Sequence, residues 1–188
     1  MAKIESILLG DSSPYKTTVL YNNAGLQYTK YSSSISYNRS ATSIIKENTD
    51  SNYKKTLRLN LPASANAYGW AFIQISNTSS TIDADFCVAH LNNLSNGQGA
   101  AYTYPPSTYL FISNTTNLMY SIPSSILNCS MIMNINPNSA YGQAWLVLDM
   151  SKCTVTGKRY VGIGGFEPSS SPVTQSWYCD YIAFLEKK

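Results

Sequence analysis

Lys55-Thr56-Leu57-Arg58-Leu59-Asn60-Leu61 is the stretch that decides the fold class. Its leucines alternate with Thr, Arg and Asn, a period of two, so one face of the segment is dry and the other wet, as in a half-buried β-strand. The same pattern recurs outward from it. Trp70-Ala71-Phe72-Ile73-Gln74-Ile75, Tyr109-Leu110-Phe111-Ile112, Ser130-Met131-Ile132-Met133-Asn134-Ile135, Trp145-Leu146-Val147-Leu148-Asp149-Met150 and Tyr181-Ile182-Ala183-Phe184-Leu185 are short, β-branched or aromatic, and bounded by polar clusters. Those clusters read as turns: Asn22-Asn23-Ala24-Gly25, Asn96-Gly97-Gln98-Gly99, Asn136-Pro137-Asn138, Thr156-Gly157-Lys158 and the segment 167–172 each offer Gly, Asn or Pro where the backbone must reverse. About ten such strands, with no amphipathic helix between them, predict an all-β fold, a single antiparallel β-sandwich.

Composition agrees. The chain has 188 residues, 44% hydrophobic and only 12% charged, too few Glu, Lys and Arg for helical surfaces. A net charge of +3 spread over this length gives no concentrated basic field, so nucleic acid is not an expected partner. No apolar run reaches the ~18 residues of a spanning helix, so a membrane is not expected either. Residues 1–15 lack the long apolar core and small-residue cleavage site of a signal peptide, which predicts an unprocessed, cytoplasm-made protein with reduced cysteines at positions 87, 129, 153 and 179. Residues 3–9 form an apolar run closed by Gly10 and Pro14. They define an N-terminal strand or docking arm over residues 1–21, ahead of a sandwich domain at 22–188.

Catalytic chemistry is poorly supplied. His90 is the sole histidine and stands at an apparent strand end, where a hydrogen-bonded structural role is expected. The four Glu and six Asp lie mostly beside turn residues, so no enzyme activity and no cofactor are predicted. Asp83 and Asp85, two apart, are weak candidates for a hard cation. Gly162-Ile163-Gly164-Gly165 lacks the Lys-Ser/Thr pair and following helix of a phosphate loop and reads as a bulge or bend in a late strand.

The aromatics are more informative. Fifteen Tyr, five Phe and three Trp exceed the needs of one core in tyrosine, a residue that combines apolar area with a water-tolerant hydroxyl and suits sugar platforms and protein interfaces alike. Tyr102, Tyr104 and Tyr109 surround the Pro105-Pro106 loop, and Trp177-Tyr178 open the last strand. These five are the candidate glycan-binding residues.

Trp145-Leu146-Val147-Leu148-Asp149-Met150-Ser151, then Lys158-Arg159-Tyr160-Val161-Gly162-Ile163-Gly164, then Trp177-Tyr178-Cys179-Asp180-Tyr181-Ile182-Ala183-Phe184 resembles the closing strands of jelly-roll carbohydrate-binding modules. That resemblance implies a jelly-roll sandwich with an adhesive surface. In its Tyr, Asn and Ser richness the chain is also similar to bacteriophage virion proteins, namely capsid-decoration, head-fibre and tail-attachment proteins. This second resemblance implies a non-enzymatic virion component located in the virion. Its implied partners are other virion proteins, further copies of itself and a host-surface glycan. The alternative is a carbohydrate-binding module acting through surface Tyr and Trp.

Overall fold

Leu57, Leu59 and Leu61 are wholly buried while Thr56, Arg58 and Asn60 face the other way, so the alternation that predicts a strand is realised residue by residue. The computed structural model describes residues 13–75, 82–95, 108–118, 130–135, 142–153, 159–166 and 174–188, with residues 93–95 and 130–135 described at the backbone only. In chain order the strands are β1 (Tyr15–Asn22), β2 (Gly25–Leu26), β3 (Ser34–Arg39), β4 (Ile44–Thr49), β5 (Lys55–Leu61), β6 (Tyr68–Gln74), β7 (Phe86–Ser95), β8 (Thr108–Ser113), β9 (Ser130–Ile135), β10 (Gly142–Asp149), β11 (Tyr160–Phe166) and β12 (Gln175–Lys187). One 3-10 turn, Met150–Lys152, follows β10 and is capped by the Asp149 carboxylate on the Ser151 N–H.

Among the described residues the strands form two antiparallel sheets, the large one of eight strands and the small one of four. The large sheet runs β2-β1-β12-β7-β10-β9, with β5 paired to β12 and β4 to β5; the small sheet runs β3-β6-β11-β8. This is the all-β jelly-roll sandwich that the sequence predicts. Its core lies between the sheets, where Leu57, Leu59, Cys179, Ile182 and Phe184 of the large sheet meet Ile73, Leu110, Ile112, Val161 and Ile163 of the small one. Burying such side chains is the main favourable term, at roughly 1.5–3 kcal/mol for each large one.

A polar relay crosses this dry layer. The Trp177 indole N–H donates to Thr108 Oγ1 (3.3 Å), Thr108 Oγ1 donates to Gln175 Oε1 (3.3 Å), and Gln175 Nε2 donates to the Phe166 carbonyl (3.4 Å). Each buried polar group thus has a partner, and the relay joins β12 to β8 and β11 across the sandwich.

Turns follow the predicted chemistry. Asn23 and Ala24 link β1 to β2, Gly25 takes the positive φ of +96° that the reversal needs, and Asn22 Oδ1 accepts the Ala24 N–H at 2.8 Å. Between β4 and β5, Asp50 Oδ1 accepts the Asn52 and Lys54 N–H groups and holds Tyr53 at φ +61°.

Of the strand or docking arm expected over residues 1–21, Tyr15–Asn22 is strand β1, paired with β12 from Tyr15↔Lys187 to Tyr21↔Ile182, with Leu20 and Tyr21 in the core. Residues 1–12 lie outside the described residues. One expectation is corrected: the late glycines make no bulge. β11 keeps an unbroken register with both β6 and β8, and Gly162 and Gly164 are small because aromatic rings from the two neighbouring strands close over them. A Cβ at Gly162 would overlap the Phe111 ring, and one at Gly164 would overlap the Gly69 carbonyl and Trp70.

Gly162→Ala is therefore expected to destabilise the fold by about 1–3 kcal/mol, the usual cost of overpacking. Urea unfolding measures it, and an unchanged midpoint would refute the account.

Candidate functional site on the outer face of the large sheet

Each sheet has an outer face, and the two differ in chemistry. On the small sheet, Trp70, Phe72 and Phe111 are fully buried with Leu118 beside them, and Tyr109 stacks on Phe166 at 5.7 Å with the rings 4° apart. That face is an aromatic layer. On the large sheet, a smaller apolar cluster of Val88, Trp145, Ala183 and Leu185 gives way to a polar end.

The polar end depends on a break in the β12 alternation. Cys179 and Ile182 both point into the core, three residues apart instead of two, and the pairing with β7 shifts register between Cys179 and Tyr181. A β-bulge of this kind sends Asp180 and Tyr181 together to the outer face. There Asp180 meets His90 of β7: Oδ1 lies 2.8 Å from His90 Nδ1, and Oδ2 accepts from Asn92 Nδ2. The carboxylate only accepts, so Nδ1 carries the shared hydrogen and Nε2 is the acceptor of the neutral ring. The imidazole also lies 4.8 Å from the Trp145 ring, whose other neighbour is Tyr181 at 6.1 Å.

Three buried side-chain atoms here have no hydrogen-bond partner among the described residues: His90 Nε2, Gln143 Oε1 and Trp145 Nε1. All belong to β7 and β10, which are adjacent in the large sheet. His90 and Trp145 are 8% and 4% exposed, and both are therefore largely withdrawn from bulk water.

Beside this network is a hollow of about 400 Å³. Asn92, Tyr178 and Asp180 form one side, Asn48, Asp50, Lys54 and Thr56 of the β4–β5 hairpin another, and Asn23 closes an end. Asn23 is held there because its carbonyl accepts the Lys55 N–H at 2.8 Å. Arg58, paired with Tyr178 across β5 and β12, sets its guanidinium 5.8 Å from the Tyr178 ring centroid. Side-chain amides and hydroxyls, the Tyr178 ring and the charged groups of Asp50, Lys54 and Asp180 form the walls, which suits a polyhydroxylated ligand more than an apolar one.

The predicted site residues do not converge. Tyr178 lines the hollow, and Tyr109 lies on the opposite outer face, stacked on Phe166. Trp177 is corrected outright: it is 1% exposed, inside the sandwich on its bond to Thr108, and cannot stack on a ligand. Tyr102 and Tyr104 fall outside the described residues. Asp83 and Asp85 are exposed and precede β7 instead of sharing a strand face. Asp85 serves the fold, with Oδ2 accepting the Lys187 N–H at 2.6 Å and its carbonyl accepting the Met150 N–H at 2.9 Å. Among the described residues, no cluster of three or more His, Cys, Asp or Glu could hold a metal. His90 is hydrogen-bonded as predicted, but sequence reasoning missed its place beside the hollow. The signal was available in the broken alternation from Trp177-x-Cys179 to Ile182-x-Phe184.

No protein-family model matches the sequence, and no curated protein matches it. Among solved structures the chain is similar to the CBM22-1 xylan-binding domain of Xyn10C from Paenibacillus barcinonensis, at 7% identity over 92% of this chain and 94% of that one, with a TM-score of 0.43. It is also similar to the family 11 carbohydrate-binding module of the cellulosomal cellulase Lic26A-Cel5E of Clostridium thermocellum, at 9% identity over 90% of this chain and 94% of that one, TM-score 0.43. Identities this low leave ligand and mechanism to be argued from this chain's own side chains.

Two predictions follow from the geometry. Neutral His90 is expected in its Nδ1–H tautomer, which imidazole nitrogen-15 shifts would report; an Nε2–H ring would break the assignment. The tyrosines give an alkaline signature. Burial pushes the Tyr181 phenol from 10.0 up to about 12, and burial reinforced by the Glu47 carboxylate, which accepts the Tyr21 hydroxyl hydrogen, pushes Tyr21 up further. The unfolded chain then loses phenolic protons near pH 10 while these two keep theirs. Stability is expected to be level with respect to them below pH 10 and to fall as pH rises towards 12, and Tyr181→Phe should flatten part of that fall in pH-dependent unfolding.

Proposed function

We propose that this chain is a non-catalytic glycan-binding module and that the outer face of its large sheet holds the sugar. The observation that carries the reading is the hollow itself, about 400 Å³, with Asn48, Thr56, Asn92 and Tyr178 around it and the His90–Asp180 pair at its edge. A pyranose ring presents hydroxyls in its plane and C–H groups on its faces. Side-chain amides and hydroxyls match the first, and the Tyr178 ring matches the second.

The His90–Asp180 pair resembles part of a hydrolytic triad, and the surrounding residues speak for binding instead. A triad needs a hydroxyl or thiol within reach of Nε2. Among the described residues Nε2 has no hydrogen-bond partner at all, and its ring neighbour is Trp145. The placement in a virion that composition suggests draws on no contact in the fold, whereas the glycan reading draws on named side chains and is the one carried forward.

Affinity electrophoresis on a panel of soluble polysaccharides tests it. At least one is expected to retard the protein, and Tyr178→Ala is expected to weaken that retardation about tenfold or more, the effect of losing one stacking residue worth about 1.4 kcal/mol. Tyr109→Ala, on the opposite face, is expected to leave it unchanged. Trp177→Ala is the wrong probe, because it removes a core side chain at a cost of about 3–5 kcal/mol. Absence of retardation on the whole panel, or loss through Tyr109 instead of Tyr178, would defeat the proposal.

A further inference from the structure

The charges around the hollow are unevenly committed. Its carboxylates already have donors: Asp180 holds His90 and Asn92, and Asp50 Oδ1 holds the Asn52 and Lys54 backbone N–H groups. Glu47, on β4 of the same hairpin, is taken by Lys55 at 3.2 Å and by the Tyr21 hydroxyl. The cations differ. Lys46 and Arg58 stand directly opposite each other on β4 and β5, with Ile45 on one side and Leu57 and Leu59 on the other turned into the core, so both face outward. Lys54 lines the hollow itself. Among the described residues none of these three side chains has a carboxylate within ion-pair distance, and the Arg58 guanidinium has only the face of Tyr178.

Like charges opposite each other on paired strands destabilise a sheet. A folded chain with few charges to place has put two of them side by side next to this polar hollow. The guanidinium adds direction: it lies over the Tyr178 ring at 5.8 Å from the centroid, and its fork of N–H groups matches a carboxylate or sulfate in two parallel hydrogen bonds. We infer that the ligand of this face is an acidic glycan, with a carboxylate or sulfate group received by Arg58 and supported by Lys46 and Lys54, while the sugar ring lies in the hollow. This inference rests on the glycan reading above and adds the charge class of the sugar.

The test measures binding of the intact chain to polygalacturonate and alginate (carboxylates), dextran sulfate (sulfate esters), and xylan and mixed-linkage β-glucan (neutral), each at low and high salt. Acidic polymers are expected to bind at least tenfold more tightly than neutral ones, with the advantage falling as salt screens the contact. The carboxylate and sulfate arms identify which anion is preferred. Arg58→Gln is expected to remove most of the advantage and Arg58→Lys to restore only part of it, because Lys keeps the charge and lacks the fork. Lys46→Gln, at an exposed position, gives an intermediate loss and a variant with little risk to folding.

Neutral polymers bound as tightly as acidic ones, with Arg58→Gln and Lys46→Gln silent and Tyr178→Ala damaging, would overturn the charge inference and leave the glycan reading intact. No polymer bound would overturn both. Equal binding of single-stranded DNA and polygalacturonate would mean simple cation exchange, and would also overturn the inference.

Discussion

Everything in this molecule hangs on β12, which is hydrogen-bonded along both edges. One edge pairs with β7 throughout. The other is shared, with Gln175–Cys179 on β5 and Ile182–Lys187 on β1. A single strand about 40 Å long thus sets the register of three others at ~3.3 Å per residue. The bulge falls where the second edge passes from β5 to β1, so Asp180 and Tyr181 have no ladder partner on that side. The interruption has a spatial result: two strands that both pair with β12, but not with each other, leave room between them. The hollow opens there, with Asn23 reaching it from the end of β1 and Thr56 from the start of β5.

The outer faces resolve the same problem in opposite ways. A sheet packed on one face must present the other to water or cover it. The small sheet covers its outer face with rings laid over glycines, so that Trp70, Phe72 and Phe111 are as inaccessible as the core. The large sheet leaves part of its outer face polar, and that part collects the orphaned atoms of His90, Gln143 and Trp145. A protein tolerates buried polar atoms without partners at few places, and among the described residues these three lie on two neighbouring strands of this face.

Where one face of a strand was wet, the sequence was legible. Residues 55–61 could be read side chain by side chain, because Thr, Arg and Asn can only be the solvent set. Strands with both faces apolar were readable as strands but not as orientations: Trp145 and Val147 point out, Leu146 and Leu148 in, and nothing in their chemistry separates the pairs. The same ambiguity misplaced Trp177, whose neighbour Tyr178 is the outward residue. The assignment needed the phase of β12, and that phase changes at the bulge. The glycines of β11 misled for another reason. Their smallness answers to rings on β6 and β8, which are distant in sequence and become neighbours only when the sheet forms. The site is legible to a lesser degree than the fold because it is assembled from β4, β5, β7 and β12 and from a turn after β1, with no contiguous motif.

The three tryptophans happen to be distributed one to a layer. Trp70 lies in the outer aromatic layer of the small sheet, Trp177 between the sheets, and Trp145 on the outer face of the large sheet against His90. Indole emission depends on local polarity and on quenching by neighbours, and a protonated imidazole is an efficient quencher. The chain therefore carries an intrinsic optical probe for each stratum. Its fluorescence can resolve whether the strata loosen together or in sequence, without any label being attached.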